Sequence, residues 1–84
     1  MKPVKLYTTP ICPYCVRAKN LLTKKGVTYQ EIDVLSDDKA RQEMLSKSNG
    51  MRTVPQIFVG ETHVGGFDEL HAMDKAGKLD PLLA

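Results

Sequence analysis

The chain has 84 residues, a formal net charge of +2 and a hydrophobic fraction of 42%. That length suits one domain, residues 1–84, with a core so small that nearly every apolar face must be used. Neither sign of charge dominates, so composition argues neither for nor against a nucleic-acid partner, although none is expected, and no run of about 18 apolar residues offers a membrane span.

Val4 and Leu6, followed by the turn-prone Thr8-Thr9-Pro10, predict a short strand over 4–8. Pro13 fits the first turn of a helix. Val16, Ala18, Leu21 and Leu22 supply its apolar face, Lys24 and Lys25 suit its C-terminus, and Gly26 stops it, which gives a helix over 13–25. Val27, Tyr29 and, after a slip in phase, Ile32 and Val34 predict a strand over 28–33. Ser36 and Asp37 cap a second helix over 38–48, which Asn49-Gly50 end. Ile57, Phe58 and Val59 form a third strand that turns at Gly60-Glu61 and returns antiparallel through Thr62–Val64. Gly65-Gly66 break that strand. Phe67, Leu70 and Met73 then have helical spacing, with Gly77 as the stop. Beyond it, Leu79, Leu82 and Leu83 either dock on the core or fray. The order is β-α-β-α-β-β-α. The economical packing is an α/β fold, one sheet with three helices over its faces.

The only two cysteines, Cys12 and Cys15, stand two residues apart at the first strand-to-helix junction. The N-terminal residues run into a strand pattern without the apolar core of an export signal, so a reducing cytoplasmic setting is expected. There a C-x-x-C is more often catalytic or metal-binding than a structural staple. Unpaired amides and the helix dipole at a helix start favour a thiolate. Such contexts lower the thiol pKa from about 8.5 to about 3.5–7.5. One helical turn puts Cys15 on the same face as Cys12, within reach of a disulfide. Pro13 stiffens the start of the helix, and Tyr14 offers a flat surface beside the nucleophile. A zinc site usually wants four ligands, and here the only other candidates, His63 and His71, lack finger-like spacing. Two inert buried cysteines, or an iron–sulfur cluster shared by two chains, are the remaining alternatives to thiol–disulfide chemistry.

Over nearly its whole length the chain resembles the dithiol glutaredoxins of the small bacterial type. Three linked signals carry the resemblance: Cys12-Pro13-Tyr14-Cys15, Thr53-Val54-Pro55, and Gly65-Gly66-Phe67-Asp68. It implies a thioredoxin-like fold with a four-stranded mixed sheet. It also implies electrons supplied by glutathione, with Cys12 as nucleophile and Cys15 as resolving thiol. Pro55 should be a cis-proline facing the cysteines, so that the Val54 backbone is free to pair with glutathione as a short strand would. The implied glutathione-binding set is Tyr14, Arg41, Arg52, Thr53, Val54, Pro55, Gly66, Phe67 and Asp68. In it Asp68 meets the γ-glutamyl ammonium, the helix-start amides meet its carboxylate, and Arg41 or Arg52 meets the glycyl carboxylate. Gln56 is a further candidate for a hydrogen bond. The implied partners are glutathione and protein disulfides or glutathionylated proteins, a ribonucleotide reductase being a substrate that family members often serve. A monomer without metal is expected. A glutathione-ligated iron–sulfur protein is the alternative, and Pro13 argues against it. Many relatives carry lysine three residues before the first cysteine. This chain has Thr9 there, which leaves Lys5 as the nearest upstream cation.

Overall fold

The computed structural model describes residues 2–84. Its elements are β1 (Val4–Thr8), α1 (Pro13–Lys24), β2 (Gln30–Asp33), α2 (Asp38–Lys47), β3 (Gln56–Val59), β4 (Thr62–Gly65), α3 (Phe67–Lys75) and α4 (Leu79–Leu83). The sheet order is β2-β1-β3-β4. β1 and β2 are parallel, while β1–β3 and β3–β4 are antiparallel. The parallel pair needs a crossover, which α1 supplies, whereas β3 and β4 need only a tight turn.

Alternation along the strands sorts their side chains onto two faces. Val4 and Leu6 of β1, with Ile57 and Val59 of β3, face Ala18 and Leu22 of α1 and Leu70 of α3. Tyr7 and Phe58 point to the other face, where Ala40 and Met44 of α2 cover them together with Val34. All four residues of β3 are buried, because this central strand is covered on both sides. Tyr7 meets Phe58 edge-on, with ring centroids 5.7 Å apart.

Helices α1, α2 and α3 end by one mechanism, and it moves the expected boundaries. Gly26 takes φ +74°, so that its own N–H reaches the Thr23 carbonyl and the Val27 N–H reaches that of Leu22 at 2.9 Å. This Schellman closure satisfies carbonyls left open at the helix end. It also ties Val27 to the helix end, and the ladder begins at Gln30 instead of the expected 28. At α3, Gly77 and Lys78 repeat the arrangement on Asp74 and Met73. At α2 the left-handed residue is Asn49, and the Gly50 N–H bonds to the Leu45 carbonyl at 2.7 Å. The start of α2 is capped by the Asp37 carboxylate, which accepts from the Ala40 N–H at 3.1 Å.

The C-terminal segment corrects the count of three helices. It forms a fourth, α4, one turn long, which places Leu79 and Leu83 on one side and buries both. The Lys25 ammonium joins its start to α3, 2.9 Å from Asp80 and 2.5 Å from Asp74. The Lys2 N–H donates to the Leu83 carbonyl at 2.9 Å. Among the described residues, no helix is long and apolar enough to cross a membrane.

One polar link pins α2 to the sheet. The buried Tyr7 hydroxyl donates to the Glu43 carboxylate, which also lies 3.5 Å from Lys5 and 3.4 Å from Lys47. The Tyr7 bond holds the Glu43 carboxyl below the usual glutamate range, with Lys47 and Lys5 assisting. Burial, then Glu43, pushes the Tyr7 phenol well above its ordinary value. Because the folded value of Glu43 is depressed, its contribution is complete above the ordinary glutamate value of about 4.3 and is lost as the pH falls through the folded value. Glu43→Gln is therefore expected to destabilise the fold by about 1 kcal/mol near neutral pH, the half-exposed carboxylate being partly screened. Urea melts across the acid range should show the gap to wild type closing as the pH drops. A gap that persists at the acid end contradicts the assignment.

Candidate active site

β1 delivers the chain to the start of α1, where Cys12 is the N-cap in extended conformation and Pro13 takes the first helical position. The Cys12 sulfur stands where a capping oxygen would, accepting the Cys15 N–H at 3.0 Å. A helix-start amide aimed at sulfur stabilises the thiolate over the thiol. Cys12 and Cys15 are joined as a disulfide, with Cα atoms 5.2 Å apart. Cys12 keeps 8% of its surface exposed and Cys15 only 1%, so an incoming thiol reaches Cys12 first.

The loop before β3 closes over this junction. Its Val54–Pro55 peptide is cis, and the Val54 carbonyl oxygen lies 3.7 Å from the Cys12 sulfur. Pro55 is buried, Val54 is half-buried and Thr53 is exposed. From the other side comes the start of α3. Gly66 is its N-cap, and the Gly66 N–H donates to the Glu69 carboxylate at 2.7 Å. A Cβ on Gly65, which takes φ +114°, would fall 2.6 Å from that carboxylate. The absence of a side chain there lets the cap form close beside Pro55.

Thr53, Val54 and Pro55 form one wall of a groove, Gly66, Phe67, Asp68 and Glu69 the other, and Tyr14 stands at its end. Its volume is about 290 Å³. That is near the lower end of small-ligand sites, about 300–1,000 Å³. Tyr14 is half-exposed, leans on Phe67 with centroids 6.4 Å apart, and carries the Arg17 guanidinium 5.4 Å above its ring. His71 also stacks on Phe67, with centroids 5.4 Å apart. A larger cleft, about 620 Å³, lies at the opposite end of β1 between Pro3, Lys5, Lys47 and Gly60. None of its walls approaches the cysteines, whereas Val54 of the smaller groove lies 3.7 Å from the Cys12 sulfur, so chemistry places the site at the smaller groove.

Tyr14, Thr53, Val54, Pro55, Gly66, Phe67 and Asp68 are thus brought together in one groove, which meets the Cys12 sulfur at Val54. Arg41 and Arg52 are not part of the groove walls; both are exposed, on α2 and on the loop before Thr53. Lys5 turns to Glu43 under α2 and does not stand in for a lysine at Thr9. Sequence reasoning missed Glu69. Its signal was the spacing of three residues from the N-cap, where a glutamate reaches back to the cap amide.

The glutaredoxin family model matches residues 4–64. The chain belongs to the glutaredoxin family. Glutaredoxin of Pseudomonas aeruginosa is 57% identical over 84 residues, covering 100% of this chain and 99% of that one. The solution structure of glutaredoxin from Brucella melitensis is 52% identical, with a TM-score of 0.85, covering 99% of this chain and 89% of the other. The crystal structure of a buckwheat glutaredoxin–glutathione complex is 34% identical, with a TM-score of 0.87, covering 98% of this chain and 76% of the other. This glutaredoxin therefore has the thioredoxin-like fold, and its cysteine pair makes it a thiol–disulfide oxidoreductase.

Proposed function

We propose that this glutaredoxin draws its electrons from glutathione and reduces both protein disulfides and protein–glutathione mixed disulfides. The observation that carries this reading is the groove between the Thr53–Pro55 loop and the start of α3, adjoining the Cys12 sulfur. A relative solved as a glutathione complex supports it.

In this reading the cysteinyl part of glutathione pairs with the Val54 backbone and brings its sulfur to Cys12. The exposed Asp68 carboxylate takes the γ-glutamyl ammonium, and the first amides of α3 take the neighbouring carboxylate. Phe67 and Tyr14 supply apolar wall. The glycyl carboxylate falls to Arg52 or Arg41, whose guanidinia have to swing in from outside the groove. The Cys12 thiolate attacks the glutathionyl sulfur of a mixed disulfide, the protein sulfur leaves as a thiolate, and Cys12 carries the glutathionyl group. A glutathione thiolate then attacks that group's sulfur, oxidised glutathione departs, and the electron pair returns to Cys12. With a protein disulfide, Cys12 opens the bond and Cys15 displaces the substrate. Two glutathiones then reduce the Cys12–Cys15 bond. One chain holds both thiols and the groove, so the cycle works in a monomer. A cytoplasmic location goes with this reading, since the cycle consumes reduced glutathione. A ribonucleotide reductase disulfide is a fitting protein substrate, being regenerated at every turnover.

The first test uses one peptide carrying two different adducts. Its glutathione mixed disulfide should be reduced at least about ten-fold faster than its mercaptoethanol mixed disulfide, because only the first fills the groove. Equal rates would remove the glutathione dependence. The second test is Asp68→Asn. The loss of one charged partner at a wet site costs about 1 kcal/mol, which raises KM for the glutathionylated peptide roughly five-fold. Alkylation of Cys12 by iodoacetamide, which needs only the thiolate, should not change. A parallel fall in both would mean that Asp68 acts on the thiolate. Wild-type behaviour in both would remove it from the site.

A further inference from the structure

The groove's Val54 wall is held from behind by a side chain that the reaction itself does not use. Gln56 is wholly buried, an unusual place for a primary amide. It lies on the α2 face of the sheet, two residues before Phe58 and on the same side. Its Nε2 donates to the Thr53 carbonyl at 2.9 Å and lies 3.1 Å from the Thr53 hydroxyl. Its Oε1 lies 2.7 Å from Nε2 of His63. A backbone carbonyl only accepts, so the amide nitrogen must face Thr53 and the amide oxygen must face His63. That orientation requires the proton on His63 Nε2, in the neutral ring as in the charged one. His63 is fixed in turn by its ring, which stacks on Phe58 with centroids 4.8 Å apart and planes 23° apart. A β-bulge sets where it sits: Phe58 pairs with His63, but Ile57 pairs with Gly65. The bulge leaves Val64 unmatched, and a bulge re-aims the strand that carries it.

We propose that His63 and Gln56 are positioning residues for the disulfide exchange, and that they act through Thr53 to fix the Val54 backbone at the distance from Cys12 that a bound glutathionyl group requires. The inference rests on the reading that Val54 receives glutathione. An unrestrained Thr53-Val54 segment would still leave Cys12 at its helix start, so the relay governs substrate placement and not the thiolate. It also links a residue on β4, outside all three recognisable motifs, to the substrate-binding edge.

Two variants test it. Gln56→Leu removes all three bonds while keeping a similar volume. His63→Phe keeps the stack on Phe58 and removes only the donor, which guards against a Gln56 variant that fails to fold. KM for the glutathionylated peptide is expected to rise about ten-fold in Gln56→Leu and about three-fold in His63→Phe, because one link is lost in the second and all links in the first. The iodoacetamide rate of Cys12 should stay within about two-fold of wild type, and the amide resonance of Val54 should shift in both variants. His63→Gln, which restores an amide donor, should recover part of the loss. A lowered melting temperature with unchanged KM and an unmoved Val54 resonance would make the relay a core hydrogen bond only, and would overturn the proposal. A matching fall in the alkylation rate would overturn it as well. A wild-type protein indifferent to the glutathione adduct would instead defeat the functional reading, and the Val54 resonance would still report whether the relay holds the loop.

Discussion

Cys12→Ser is expected to bring glutathione-dependent turnover down to the uncatalysed rate, while Cys15→Ser keeps most of its activity on a glutathionylated peptide. The two sulfurs differ in place and not in kind. Cys12 is the helix N-cap, with the Cys15 N–H directed at its sulfur, and it retains the exposure that attack requires. Cys15 is closed in. In the proposed cycle, deglutathionylation uses Cys12 twice, first as nucleophile and then as leaving thiolate, and needs no second protein thiol. The Cys15→Ser change also leaves the backbone donor to Cys12 in place, because that bond comes from the amide of residue 15. A thiolate of lower pKa leaves faster, which supports the same assignment. Turnover coupled to the oxidation of a nicotinamide cofactor through glutathione reductase measures both variants. Cys15→Ser should stay within about three-fold of wild type on the peptide but lose most reduction of a protein disulfide, where the resolving thiol is needed. Equal losses on the peptide would end the asymmetric mechanism.

Leu79→Ala should destabilise the whole fold by about 2–5 kcal/mol. Leu79 has no exposed surface and belongs to the cluster that includes Leu22, Val27, Leu70 and Leu83. Truncating it opens a cavity between α4 and the sheet that a tightly packed small core cannot close. A native stability of about 5–15 kcal/mol makes that a large fraction of the total. Leu82→Ala is the control, since Leu82 only packs against the rim of the cluster and should cost less. Urea unfolding with unchanged slope would give both differences. A loss below about 0.5 kcal/mol for Leu79→Ala would mean that α4 contributes no more than an exposed tail.

The order of strands and helices is legible in the chain because punctuation and local chemistry write it. Pro13 opens α1 and Gly26 closes it; Asp37 opens α2 and Asn49 closes it. These residues act within one helical turn, so neighbours in sequence suffice to read them. The same holds for Cys12 and Cys15, which helical spacing alone places on one face, and for Gly66 at the head of α3. What lies between elements distant in sequence was decided by packing. α4 has five residues, with Pro81 among them, too short for periodicity to identify. It is a helix because the core formed by α1, α3 and the sheet offers Leu79 and Leu83 a place to be buried. Arg41 and Arg52 were plausible as cations, but the place of an exposed guanidinium relative to a groove depends on three-dimensional distance, and both lie beyond its walls. Lys5 was drawn away by Glu43, an ion pair across 38 positions that no local pattern encodes. Gln56 read equally well as a strand residue or a ligand contact. Only the assembled sheet, with α2 over it and His63 beside it, removes water from that amide and leaves Thr53 and His63 as the partners that satisfy it.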